Sequence, residues 1–460
     1  MRTYTRLLDV FDRAEDGPML EESAWDMQLV PEAVARIIKQ YEIKLKPVSE
    51  TVVNQDDALA DRLYSAGLAL AEELGVYCVS TNRRILFTRD EILNALEIAP
   101  LEVTLGDGND RHTEHKRRLD DPQYPTIKGG GVGTPLPEDL YLPITQSYAQ
   151  EPLIDAVINC TLESVYGREI RSRSPWEILA GWHEVEMSKA ACKRAGRPGL
   201  PLGVIENAVS ELAELSATSY GGASLNDWHH VAMISEFKTD YMAMAKLAHL
   251  VRTGAIVHSF YNTIYGGSCG GRDGMALAIV AGSILLQMVY MTNTHSVSPA
   301  HPFYGNNTTP EIQQAISLAE QSLARNTRLL TDVVITPVSG PGTATLLYEC
   351  AVAAIQATVS GACALIGPRS AAGIVPAHVS GLEARFTAEI ARASAGMSRA
   401  EGDRLVKQII PCYQPVLDKR PAGQSFTEVY DPVTLKPTAA WLQTYQQVKD
   451  ELRGMGLPLR

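Results

Sequence analysis

From residue 127 onward, short apolar runs alternate with longer Ala- and Leu-rich segments, with polar or Gly-rich turns between them. Candidate strand-to-loop exits fall at 127–131, 156–161, 202–206, 256–262, 294–304, 333–340 and 362–368. Helix-like segments at 234–253, 273–291, 310–330 and 342–360 lie between them. Strands alternating with helices predict a parallel sheet, and several such units in ~300 residues predict a closed barrel in preference to an open sheet. Residues 1–125 have another texture. Leu59, Leu63, Leu70 and Leu74 recur near helical spacing over 56–74, with Gly75 as the stop. The runs 76–79 and 84–87 predict a hairpin, and Thr88 with Glu91 has the spacing of a capping box that opens a further helix. Residues 107–121 hold eleven ionisable groups and predict a charged loop. After Pro437, Trp441, Tyr445, Val448 and Leu452 mark an amphipathic helix that needs a surface to lie on. The expected organisation is an N-terminal α+β extension (1–125), a barrel (126–430) and a helical tail (431–460).

Composition narrows the function classes. The 460 residues carry 41 Lys and Arg against 53 Asp and Glu, a net charge of −12. No basic stripe is present, which argues against nucleic acid or an anionic membrane as partner. The longest apolar stretches, 275–291 and 346–366, are interrupted by Gly282, Ser283 and Gln287 and by Glu349, Gln356, Ser360 and Gly361. They are expected to be buried helices and not membrane spans. Seven cysteines without a CxxC pair, behind an N-terminus that lacks an apolar signal core, predict reduced thiols and a cytoplasmic location.

Local motifs carry little chemistry on their own. Gly129 to Thr134 lacks the lysine of a P-loop, so its glycines are expected to serve a tight strand exit. Gly266-Gly-Ser268-Cys-Gly270 matches GxSxG, but Asn262 to Tyr265 separate it from the preceding strand, unlike a nucleophile elbow. His112 and His115 lie in the charged loop and are expected to be solvated, and His183-Glu-Val-Glu186 lacks the second histidine of a zinc helix. His229, His230, His295 and His301 fall near strand exits, where barrel enzymes assemble their sites; no metal site is expected from their spacing. Phe260, Tyr261 and Tyr265 follow one candidate strand, Tyr304 another, and Tyr348 a third. Converging on one mouth, such rings would wall a pocket for a cation.

Longer stretches resemble a known family. Ala195-Gly-Arg-Pro-Gly199, Glu236-Phe-Lys238, Ala248-His249, Tyr265-Gly-Gly267 with Gly270-Gly271, Gly305-Asn-x-x-Thr309-Pro-Glu311, Gly381-Leu-Glu-Ala-Arg385 and Ala391-Arg-Ala-x-Ala-Gly396 resemble the monomethylamine methyltransferases. Trp25-Asp26 and the tail around 426–445 extend the likeness almost end to end. The resemblance implies a TIM (β/α)8 barrel with an N-terminal α+β extension and a C-terminal helix, assembled as a homo-oligomer, a hexamer in that family's manner. It also implies methyl transfer from an amine to the cobalt of a separate corrinoid protein, with pyrrolysine capturing the amine.

Carried over position by position, the resemblance places pyrrolysine on Gly203 and the family's His-Glu pair on His229 and His230. The Glu of its Asp-Glu-Gln segment falls on Phe260, and its Gln beside two tyrosines on Val334, with Ile335 and Thr336 at the tyrosines. Glu206 is retained. The amine-capturing set is therefore replaced while the scaffold is kept. A quaternary ammonium or sulfonium already carries the charge that makes its methyl transferable and leaves as a neutral molecule. An enzyme lacking pyrrolysine then has to bind the cation, exclude water and aim the methyl.

The sequence thus predicts a corrinoid-dependent methyltransferase without pyrrolysine, acting on a small methylated cation. His229, His230 and Glu206 are its candidate catalytic residues. Phe260, Tyr261, Tyr265, His295, His301, Tyr304 and Val334 are its candidate substrate contacts, and Gly203 is expected to vacate the volume of a long side chain. No DxHxxG corrinoid-binding signature is present, so the corrinoid is expected on a partner protein and no cofactor in this chain. The competing readings are a barrel lyase or hydrolase using the histidines, and a catalytically silent homologue that binds a ligand.

Overall fold

The computed structural model describes residues 2–204 and 210–459. Eight parallel strands close in chain order: β1 (Thr126–Gly130), β2 (Ala156–Ile158), β3 (Leu202–Val204), β4 (Trp228–Met233), β5 (Ile256–Tyr261), β6 (Thr294–Val297), β7 (Thr331–Val334) and β8 (Ala364–Gly367). Each is followed by its outer helix: α1 (Glu138–Ala149), α2 (Pro175–Arg194), α3 (Glu211–Ala217), α4 (Tyr241–Thr253), α5 (Arg272–Tyr290), α6 (Pro310–Asn326), α7 (Ala344–Val359) and α8 (Gly381–Ser394). This is a TIM barrel, as expected. Seven of the strands start within the predicted runs or a residue or two before them. The strand missing from the sequence reading is β4, whose Trp-His-His start does not look like an apolar run. The helix expected over 234–253 begins only at Tyr241, where the Asp240 carboxylate accepts from the Ala243 amide at 2.8 Å.

The N-terminal elements form as their sequence dictates. The helix Asp57–Leu74 starts under the Asp56 carboxylate and stops at Gly75, whose φ is 62°. Val76–Cys78 pairs antiparallel with Arg83–Ile85, and the Thr88/Glu91 capping box opens the helix Arg89–Glu97. The helix Asp57–Leu74 packs on α5 and α6, so tightly at Gly67 that a Cβ there would meet Val280 at 2.4 Å. By length and composition α5 could cross a bilayer, yet it is buried inside the fold. The helices Arg399–Ile409 and Ala439–Gly454 cover α7, and the tail's predicted face, Trp441, Tyr445, Val448 and Leu452, is buried there.

The charged segment departs from expectation. His112–His115 is a strand paired antiparallel with Glu102–Leu105, and this hairpin closes the barrel at the N-terminal ends of its strands. Val103 and Leu105 join Ile158, Trp228, Leu330, Val334, Cys363 and Ile366 in one apolar cluster. Burying charge here is compensated by specific partners. Arg117, 1% exposed, donates to the carbonyls of Gln123, Thr358 and Ala362 at 2.7–3.0 Å. His112 is half-buried against the Thr126 hydroxyl at 2.8 Å, where a solvated side chain was expected.

Candidate active site

Strand alternation sorts the candidate residues into those facing the lumen and those facing the helices. On β4, Trp228 and His230 face inward. His229 faces the helices: its Nδ1 is 2.8 Å from Glu214 Oε1 on α3, and its Nε2 is 2.9 Å from the Ser224 carbonyl. Burial disfavours its charge, but the Glu214 hydrogen bond and charge outweigh that and raise its pKa. The expected pairing of His229 with His230 in one site is thereby corrected, because adjacent strand residues cannot share a face.

On β5, His258 and Phe260 face the lumen. Tyr261 points outward, stacked on Phe237 at 5.1 Å with its hydroxyl donating to the buried Glu236 carboxylate. Gly282 of α5 makes room for that ring, since a Cβ there would lie 2.4 Å from it. Tyr261 is therefore not a wall of the site. On β6, Ser296 faces inward and His295 outward, against the Thr292 hydroxyl at 3.0 Å, where burial drives its pKa down to about 3. His295 and His301 thus belong to different faces of the barrel wall. Tyr348 lies on α7 with its hydroxyl bonded to Glu451, away from the mouth.

Below the mouth the lumen holds a charged group. Lys128 of β1 places Nζ 2.6 Å from Asp332 Oδ2 of β7 and 2.8 Å from Glu114 Oε2 of the hairpin, all three side chains fully buried. Burial works against the ammonium, but the two carboxylates raise the Lys128 pKa and keep it charged. Burial first, then the charge of Glu114, pushes Asp332 well above the usual carboxylate range. His258 lies alongside, with Nδ1 2.6 Å from the Thr294 hydroxyl and Nε2 2.9 Å from that of Ser296. Burial and the Lys128 charge push its pKa far down, so it is neutral. Its ring is 5.0 Å from that of His230, which meets half-buried Phe260 edge-on at 6.3 Å. Phe260, His230 and Val334 thus share one lumen.

At the rim, the loops after β5 and β6 build an aromatic column. Tyr265 stacks on His301 at 5.9 Å and His301 on Tyr304 at 4.3 Å, and the Arg420 guanidinium lies 5.7 Å from the Tyr304 ring. The Tyr304 hydroxyl bonds to Asp418. Burial lowers the His301 pKa. Tyr265, His301 and Tyr304 thus stack on one another at the rim.

Gly203 requires a correction. The volume beside it is not vacant: a Cβ there would meet the Trp228 indole at 2.6 Å. Glu206 lies outside the described residues. Sequence reasoning also missed Lys128, Trp228, His258, Asp332 and Glu114. A lysine in the β-prone Thr126-Ile-Lys-Gly-Gly130 and an aspartate in Thr331-Asp-Val-Val334 were the available signals, since charge inside a barrel strand calls for a partner.

A closed parallel barrel whose accessible aromatic and imidazole groups gather at the C-terminal ends of its strands defines a (β/α)8-barrel enzyme. Residues 5–457 match the family model of the monomethylamine methyltransferase MtmB. The chain belongs to the monomethylamine methyltransferase family and is a methyltransferase. It is 32% identical over 449 residues to monomethylamine methyltransferase MtmB2 of Methanosarcina acetivorans, covering 98% of this chain and 97% of that protein. It is 31% identical over 449 residues to MtmB1 of Methanosarcina barkeri, with the same coverage. The crystal structure of the Methanosarcina barkeri enzyme superposes with a TM-score of 0.95 at 31% identity over 98% of each chain, and that of a hydroxylamine MtmB complex does so equally.

Proposed function

We propose that this enzyme transfers a methyl group from a small methylated cation, a quaternary ammonium or a sulfonium, to Co(I) of a separate corrinoid protein, without pyrrolysine. The observation that supports the reading is that His230, Phe260 and Val334, positions assigned by resemblance to the amine-capturing set, face one lumen with an imidazole, an aromatic ring and an aliphatic group, while the Trp228 indole fills the space beside Gly203. A polarised donor needs no covalent capture, and an aromatic face contributes ~0.5–2 kcal/mol to holding a cation, most when water is excluded.

The partner's corrinoid would supply the nucleophile. The methyl carbon exchanges its bond to nitrogen or sulfur for one to cobalt, and the leaving atom keeps the bonding pair and departs neutral. This chain's part is to hold the cation against Phe260, orient it from His230 and keep water out. The rim column of Tyr265, His301 and Tyr304 lines the approach. Assembly as a homo-oligomer and a cytoplasmic location belong to the same proposal. The test is methyl transfer to cob(I)alamin from tetramethylammonium, glycine betaine, dimethylsulfoniopropionate and monomethylammonium. Turnover of the fully substituted cations is expected; turnover of monomethylammonium alone, or of none, overturns the reading.

A further inference from the structure

Glu236 is buried in the segment between β4 and α4, and its carboxylate gathers donors from the end of β5 and the loop that follows it. Oε1 accepts from the Thr263 hydroxyl at 2.9 Å and from the Ile264 amide at 3.3 Å. Oε2 accepts from the Tyr261 hydroxyl and, at 3.4 Å, from the Cys269 thiol. The carboxylate thus grips this loop near both of its ends, with half-buried Tyr265 between them. The Tyr265 amide donates to the Ala300 carbonyl at 3.0 Å, and the Ala300 amide donates to the Thr263 carbonyl at 3.0 Å. That pairing carries the placement of the loop after β5 to the loop after β6, where His301 stacks on the Tyr265 ring. Glu236 is itself anchored by the N-terminal extension. Its carbonyl accepts from the Trp25 indole at 2.9 Å, the Phe237 carbonyl accepts from the Tyr77 amide at 2.9 Å, and Lys238 Nζ lies 3.0 Å from Glu22 and from Asp26. Through this side chain the extension reaches the rim.

We propose that Glu236 is a positioning residue for donor capture: its carboxylate buckles the loop after β5 so that Tyr265 keeps its place in the rim column. The proposal rests on the cation reading above and adds how one wall of the approach is held. Without the carboxylate, the Thr263 hydroxyl and the Ile264 amide lose their buried acceptor, and the loop gains by opening to bring them to water. That opening takes Tyr265 off His301.

The test uses the full-length enzyme as wild type, Glu236→Ala, Glu236→Gln, Tyr265→Ala and the double variant Glu236→Ala, Tyr265→Ala. Hydrogen exchange of peptides spanning 262–271, the calorimetric dissociation constant for tetramethylammonium, and kcat and KM for methyl transfer to cob(I)alamin are measured. Glu236→Ala is expected to speed exchange over 262–271 by about tenfold or more. It is expected to weaken cation binding roughly twofold to fivefold, the equivalent of one exposed aromatic face, with the loss in KM and not in kcat. Tyr265→Ala should weaken binding equally, and the double variant no further. Glu236→Gln keeps an acceptor for Thr263 and Ile264 and should stay near wild type. Thr263→Val removes a single grip while keeping the side chain's shape, and carries the comparison in the same direction if Glu236→Ala does not fold. If the wild type neither binds nor demethylates the cation, the proposed reaction falls, while the exchange rates still decide whether Glu236 holds the loop. A folded variant whose loop exchanges as in wild type, whose cation affinity equals that of wild type, or whose loss of affinity adds in full to that of Tyr265→Ala overturns the proposal.

Discussion

His229 and His230 are neighbours in sequence that stand on opposite sides of the barrel wall, the first bonded to Glu214 on α3 and the second beside Phe260 in the lumen. Their substitutions should separate accordingly. His229→Ala leaves Glu214 buried without its partner and should lower stability by about 3–5 kcal/mol in urea unfolding. His230→Ala empties a packed position and should cost some stability, less than His229→Ala does, while lowering kcat/KM for methyl transfer at least tenfold. Equal effects on both measurements from both variants would contradict the opposed facing.

Phe260 and Tyr261 make a second such pair. Phe260→Ala removes the lumen ring and should weaken binding of tetramethylammonium by roughly threefold to thirtyfold, the equivalent of one cation–π face. Phe260→Tyr should retain most of the affinity. Tyr261→Phe removes only the hydroxyl bonded to Glu236 and should cost stability of about 1 kcal/mol while leaving cation affinity unchanged. Isothermal calorimetry and urea unfolding read the two effects separately.

Lys128 holds two carboxylates that have no water to turn to. Lys128→Met should destabilise the fold by about 3–5 kcal/mol. The triple variant Lys128→Met, Asp332→Asn, Glu114→Gln removes every charge of the group and should recover part of that loss. A single variant as stable as wild type would show that the group is not dry.

His295 sets an acid limit. Its pKa falls from the ordinary 6.5 to about 3 on folding, because burial disfavours the charged ring. Between those values the unfolded chain takes up the proton and the folded one does not, so stability is complete above 6.5 and declines as the pH falls toward 3. The wild type should lose about 2 kcal/mol from this group between pH 7 and pH 5. His295→Gln should lack that component when unfolding is measured at both pH values.

Much of the architecture was legible because it rests on local periodicity. The Asp56 and Gly75 boundaries, the Thr88/Glu91 box and the tail helix are read from residues within one or two turns of each other. What escaped depends on distant partners. Glu114 and Arg117 look solvated until Lys128 and the carbonyls of Thr358 and Ala362 come to meet them. Strand β4 was missed because Trp228 and His230 serve the lumen, and their polarity hides the run. With that strand recognised, alternation alone would have separated His229 from His230, and applied to the run 256–262 it would have separated Phe260 from Tyr261. That Trp228 fills the space beside Gly203 follows from the register of β3 on β4, which no single stretch of sequence encodes.

The hairpin Glu102–Leu105 with His112–His115 makes the barrel a cul-de-sac. On the proposed reading, a donor held against Phe260 would have to back out through the doorway by which it came, so the spent donor and a fresh one would queue for a single vestibule. Product should accordingly inhibit in competition with donor, and turnover should slow once the doorway is occupied from outside by a docked macromolecule that has not yet let the product go.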